Sequence, residues 1–342
     1  MQTHVELNAK ALPVGSVPST YRGYTDTYFA LTACTHREYP HLPREHYTVI
    51  CLRVLYRRRR HMSIAAAFSR AAADSSTVVS LELCVPQTER GVANLLRRAR
   101  SLKESLRPAF VSLAWRASAR DENAWLRVGT ALAEIGLIVL MHVTCHLPRD
   151  VIVRLLSKLR TAGLCNVLAL RGDTPGSDGV WRPPHGGLHT AMELVRMIRE
   201  LHGDYFCIGV AGYPEVHVES WNSRSLPPSE KAQLLDIARL RDKVACGAQF
   251  VMSQFVCDAS AFTSFVQRCR EAGITVPIVP TLLPVSTYES WSKIVAWSRT
   301  RVPPAVSPSR HVCNLVRRLL CIIRLSPLPP RLRCRCIPSL SA

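Results

Sequence analysis

The sequence predicts an α/β protein of the (β/α)8 TIM-type barrel class, and three observations carry that expectation. Seven short β-branched or apolar runs recur in order between residues 77 and 285, amphipathic stretches of helical length separate them, and glycines close several of those stretches. A doubly wound open sheet would accept the same alternation, but an unbroken series of βα units fits a barrel better. At 342 residues and 47% hydrophobic content, the chain has ample apolar material for such a core.

Residues 1–77 lack clear periodicity and include four successive arginines at 57–60. They read as a poorly ordered N-terminal extension, with one short helix expected near SIAAAFSRAAA (63–73). The character changes at residue 77. Strands are expected in TVVSLELCV (77–85), AFVSLAW (109–115), LIVLMHVTC (137–145) and NVLALRG (166–172). Three more are expected in FCIGVAGYP (206–214), FVMSQFVCD (250–258) and VPIVPTLLPV (276–285). Amphipathic stretches at 88–105, 148–162, 228–247 and 259–273 supply helices, and Gly163, Gly247 and Gly273 follow them where left-handed caps belong. The barrel is thus expected over 78–297, without a recognisable eighth βα unit. Residues 298–342 form a Pro/Arg-rich segment with nine Lys/Arg and no acid, read as foreign to the fold and as the product of an altered reading frame or a mispredicted gene boundary.

Nearly half of the formal charge of +19 sits in that last segment, while 78–297 is close to balanced. The tail arginines have no interleaved aromatics, which argues against a specific nucleic-acid partner. Thirteen scattered cysteines without regular spacing suggest a reduced, cytoplasmic protein, and no apolar run is long enough for a membrane span. No metal is expected: in HVTCH (142–146), His142 and Cys145 fall on opposite faces of a strand.

Barrel active sites form at the carboxyl ends of the strands, and polar residues gather there. Glu82 interrupts the first strand; His142 and Thr144 lie near the end of the third; Arg171, Gly172 and Asp173 close the fourth. Tyr213, Glu215 and His217 follow the fifth strand, and Gln254 lies in the sixth. Alone, His142 reads as an ordinary core histidine, Lys243 as an exposed helix lysine and Asp173 as a turn residue.

NVLALRGDTPG (166–176), FCIGVAGYPEVHVES (206–220) and LRDKVACGAQFVMSQFVCD (240–258) resemble signature blocks of the methylenetetrahydrofolate reductase family. SLELCVPQTERGVANL (80–95) and GITVPIVPTLLPVS (273–286) resemble further blocks in the same order. The resemblance implies a flavin barrel that passes hydride from NAD(P)H to FAD and then to 5,10-methylenetetrahydrofolate, giving 5-methyltetrahydrofolate in one-carbon metabolism. It implies that Glu82 is the general acid and that Asp173 is the carboxylate near flavin and folate. His142, Arg171, Gly172, Asp173, Ala191, Tyr213, His217, Asp236, Arg239 and Lys243 then contact FAD, while Asp173 and Gln254 contact folate. Homo-oligomerisation is left open. The chain departs from the family at Ala114, where a hydroxyl residue is usual, and at Thr190, Arg239 and Thr281. A non-catalytic relative of the family is the alternative reading.

Overall fold

The computed structural model describes residues 63–114, 122–172, 181–217, 229–256 and 258–282. Among them, seven parallel strands form one sheet in the order β1 to β7: Ser80–Cys84, Phe110–Ala114, Val139–Thr144, Asn166–Leu170, Cys207–Gly212, Phe250–Phe255 and Ile278–Thr281. A helix, α1 (Ile64–Ala73), precedes β1. Between successive strands run α2 (Glu89–Leu106), α3 (Glu122–Glu134), α4 (Arg149–Thr161), α5 (Ala191–His202), α6 (Glu230–Ala245) and α7 (Ala259–Glu271). This is the TIM-like α/β architecture read from the sequence. Every expected strand is present, and β1 and β7 are the sheet edges among the described residues.

Local chemistry explains the boundaries. Thr88, Thr190, Ser229 and Asp258 each accept a hydrogen bond from a first-turn N–H of α2, α5, α6 and α7, satisfying donors the helix cannot pair itself. Gly163, Gly247 and Gly273 all take positive φ just past α4, α6 and α7. In α4 the buried residues Ile152, Leu155, Leu156 and Leu159 make one apolar stripe. It packs on the outer face of the sheet, against Met141, Val143, Val167 and Ala169 among others.

The inner face of the sheet has two zones. At the amino ends of the strands it is apolar: Phe110, Leu140, Leu168, Cys207 and Phe250 form a cluster with Ile64 of α1. The phenyl ring of Phe68, also on α1, meets Phe110 and Phe250 edge-on at centroid distances of 6.1 and 5.6 Å. Gly209 leaves the space that the Phe250 ring fills, since a Cβ there would stand 2.4 Å from Phe250 Cζ. The helix foreseen near 63–73 therefore packs into the lower opening of the barrel. Its start is tied down by Asn166, whose Oδ1 accepts from Ile64 N at 2.9 Å while its Nδ2 donates to Val139 O at 3.2 Å.

Asn166 is buried, so removing its amide strands an N–H and a carbonyl away from water. Asn166→Ala is expected to lower unfolding free energy by about 1–3 kcal/mol, read from urea denaturation. An unchanged midpoint would show that α1 is not anchored there.

Candidate active site

At the carboxyl ends of the strands the inner face turns polar. Strand register determines which residues share it: Glu82 pairs with Ser112, and His142 and Thr144 continue the inward row of β3 through register partners Leu168 and Leu170. Ser112 and His142 are both buried, and Ser112 Oγ lies 2.5 Å from His142 Nε2. Burial pushes the His142 pKa down to about 4, so the imidazole is neutral at physiological pH. Thr144 Oγ1 is hydrogen-bonded to His146 Nδ1. Gly172 follows β4 with φ +93°, and a Cβ there would press on Thr144 Cβ at 3.3 Å, so only glycine fits without strain.

Glu82 sits on edge strand β1, and its side chain is exposed on the open side. The protein packed around the rest of the carboxyl still withholds enough water to raise its pKa above the ordinary carboxylate value. That shift favours a protonated acid at the mouth.

A second group of predicted residues comes together between β5 and α6. The turn after β5 contains Val216 at φ +79°, a strained conformation for a β-branched residue. Two hydrogen bonds hold it: Val216 N donates to Tyr213 O at 3.2 Å, and His217 N donates to Asp236 Oδ2 at 2.5 Å. The turn stacks Tyr213 edge-on against His217, with ring centroids 4.7 Å apart. Asp236 also faces Arg239, at 3.4 Å.

Lys243 is not the exposed helix lysine that its sequence context suggests. Its Nζ reaches Ala211 O at 2.7 Å, and burial lowers its pKa to about 8; Asp236 opposes that shift and Arg239 adds to it. Tyr213, His217, Asp236, Arg239 and Lys243 thus form one cluster with two cations and one carboxylate. These residues suit a ligand carrying both phosphate and planar rings.

Arg171 stacks its guanidinium 5.1 Å from the Trp181 ring centroid, and Ala191 opens α5. Cys145 Sγ bridges these parts, its single S–H lying within hydrogen-bond reach of Leu170 O and Thr190 O, each at 3.4 Å. Gln254 turns its Oε1 back onto Phe255 N at 2.9 Å, leaving the amide nitrogen for a ligand. Asp173 lies outside the described residues.

One departure acquires a physical reason: Thr190 caps α5, its side chain accepting from Glu193 N at 3.2 Å. At Thr281 only the backbone is engaged, its N–H donating to Ser253 Oγ at 3.0 Å, and the structure gives no reason for the threonine side chain. Sequence reasoning missed Ser112. Its signal was parity, because it lies two residues after Phe110 and so shares the inward face.

Comparison with known proteins bears on the family and the fold. The family model described as methylenetetrahydrofolate reductase matches residues 67–311. A rice protein named probable methylenetetrahydrofolate reductase (NADH) is 34% identical over 248 residues, which is 72% of this chain and 41% of that protein. The 5,10-methylenetetrahydrofolate reductase of Salmonella typhimurium is 32% identical over 234 residues, 67% of this chain and 72% of that one. A solved Clostridium thermocellum protein, described as uncharacterized and binding two copies of 5-methyl-5,6,7,8-tetrahydrofolic acid, has a TM-score of 0.51 at 12% identity. That similarity covers 75% of this chain and 85% of the other, and it speaks to fold alone. The chain spans about two fifths of the length of the plant relatives it matches. With the family model covering most of the chain and relatives more than 30% identical, the chain belongs to the methylenetetrahydrofolate reductase family.

Proposed function

We propose that this chain is a cytoplasmic flavoprotein that reduces 5,10-methylenetetrahydrofolate to 5-methyltetrahydrofolate with NAD(P)H. The observation that carries the reading is the convergence of Tyr213, His217, Asp236, Arg239 and Lys243 on one strained turn, next to a barrel mouth holding a neutral His142 and the Glu82 carboxyl, whose pKa burial raises. Bound FAD supplies the hydride relay between the nicotinamide and the folate.

The chain's own groups bind, orient and protonate. Arg239 and Lys243 hold phosphate charge, and Tyr213 and His217 offer ring faces next to them. Arg171 and Gly172 provide a cation and a close backbone approach at the end of β4. Glu82 donates the proton that opens the imidazolidine ring at nitrogen, leaving a cationic iminium as hydride acceptor. Asp173 supplies the negative charge that stabilises this cation, and the Gln254 amide orients the folate.

A visible absorbance spectrum of the purified chain tests the reading directly. Oxidised flavin bands that bleach with NAD(P)H and return with methylenetetrahydrofolate are expected. A folded, colourless protein that takes up no added FAD would overturn it in favour of a non-catalytic relative.

Lys243 also gives this site a pH dependence. The ammonium form attracts phosphate, and in the free protein that form is lost as pH rises through about 8. FAD affinity is therefore expected to fall above pH 8, since proton uptake must then accompany binding. Lys243→Met is expected to weaken binding below pH 8 and to flatten the profile. A wild-type profile already flat from pH 7 to 9 in FAD titrations would remove Lys243 from the phosphate site.

A further inference from the structure

We propose that Ser112 is a positioning residue that locks the His142 imidazole in its Nδ1–H tautomer by donating its hydroxyl proton to Nε2. This deepens the flavin reading and rests on it for its functional consequence, though not for its structural one.

The wall in which Ser112 lies is otherwise built for apolar packing. Directly below it on β2 is Phe110, and its register partner on β3 is Leu140. A serine hydroxyl buried at such a position is unfavourable unless it finds a partner. Its partner is His142 Nε2, at 2.5 Å. The imidazole is neutral, so it carries one ring proton, and the hydrogen bond at one nitrogen selects where that proton resides.

The surroundings of Ser112 set the direction of the bond. Its hydroxyl is buried, and His142 Nε2 is its one hydrogen-bond partner among the described residues. A serine that accepted from Nε2–H would leave its own proton in an apolar wall without an acceptor, whereas donation to Nε2 satisfies it. With Nε2 engaged, any flavin heteroatom bonded by this histidine meets Nδ1, and it meets a donor. Ser112 acts through His142.

The test uses the full chain labelled with 15N-histidine. Long-range 1H–15N correlation spectra separate the tautomers, and His142 is assigned by the signal lost in His142→Asn. The expected wild-type result is a protonated Nδ1 and a bare Nε2, the reverse of the tautomer that free neutral histidine prefers. Ser112→Ala is expected to shift His142 toward Nε2–H and to weaken FAD binding about tenfold, the worth of one hydrogen bond. Ser112→Thr keeps the hydroxyl and is expected to restore both.

An Nε2–H tautomer in the wild type would overturn the proposal, as would an alanine variant identical to wild type in spectrum and affinity. If the wild type takes up no FAD, the flavin reading falls, and the tautomer spectra still decide the role of Ser112. If Ser112→Ala fails to fold, the wild-type and threonine spectra decide it.

Discussion

On the proposed reaction, Glu82→Gln is expected to lower folate reduction by at least about a hundredfold while leaving flavin uptake and NAD(P)H oxidation close to wild type. Glutamine keeps the shape and hydrogen-bonding reach of the carboxyl but has no acidic proton to give. The loss should therefore fall on the half-reaction that opens the folate ring and spare the one that does not. Rapid-mixing measurements of the two half-reactions separate these outcomes. The pH dependence adds a second signature. Burial raises the Glu82 pKa, and the active form of a general acid is the protonated one. Wild-type folate reduction should thus decline as pH rises through that elevated value, while the residual rate of Glu82→Gln should show no such decline. Equal damage to both half-reactions would mean that Glu82 supports the fold or the flavin and is not the proton donor.

The strands and the mouth of the barrel were legible in the sequence for a simple reason. Parallel strands buried on both faces are apolar runs, so a polar residue inside one, such as Glu82 or His142, stands out. A helix within 228–247 was readable from its spacing, its charges and Gly247. What the helix does with Lys243 was not readable, because the partner of that side chain is a carbonyl 32 residues earlier. The same holds for Ser112, whose hydroxyl is explained only by a histidine 30 residues further on.

Non-local packing also explains α1. The spacing of SIAAAFSRAAA forecasts a helix, yet nothing local foretells that Ile64 will hydrogen-bond Asn166, 102 residues away. The turn at Val216 is a further case. A valine does not announce a positive φ, and the conformation exists because Asp236 on another element holds the next N–H. Thr190 shows the reverse: judged against a family pattern it is an oddity, but judged as a helix start it is an ordinary cap.

Phe250→Ala is expected to be among the most destabilising single substitutions in the barrel, at about 3–5 kcal/mol. The ring is fully buried and touches both α1 and the sheet, so its loss leaves a cavity bounded by Phe68 and Phe110. An ordinary domain has roughly 5–15 kcal/mol in all, and that margin makes the change severe. Gly209 provides the control. Its φ is not in the left-handed region, so alanine there meets no backbone penalty, only the Phe250 ring. Gly209→Ala alone should cost about 1–3 kcal/mol by overpacking. Combined with Phe250→Ala, it should cost little or even recover stability, because the added methyl enters the vacated space. A double-mutant cycle by urea denaturation measures that coupling, and a coupling near 1 kcal/mol or more is expected for residues in direct contact. Strict additivity would mean that the ring does not rest on Gly209, and that α1 closes the barrel by some other contact.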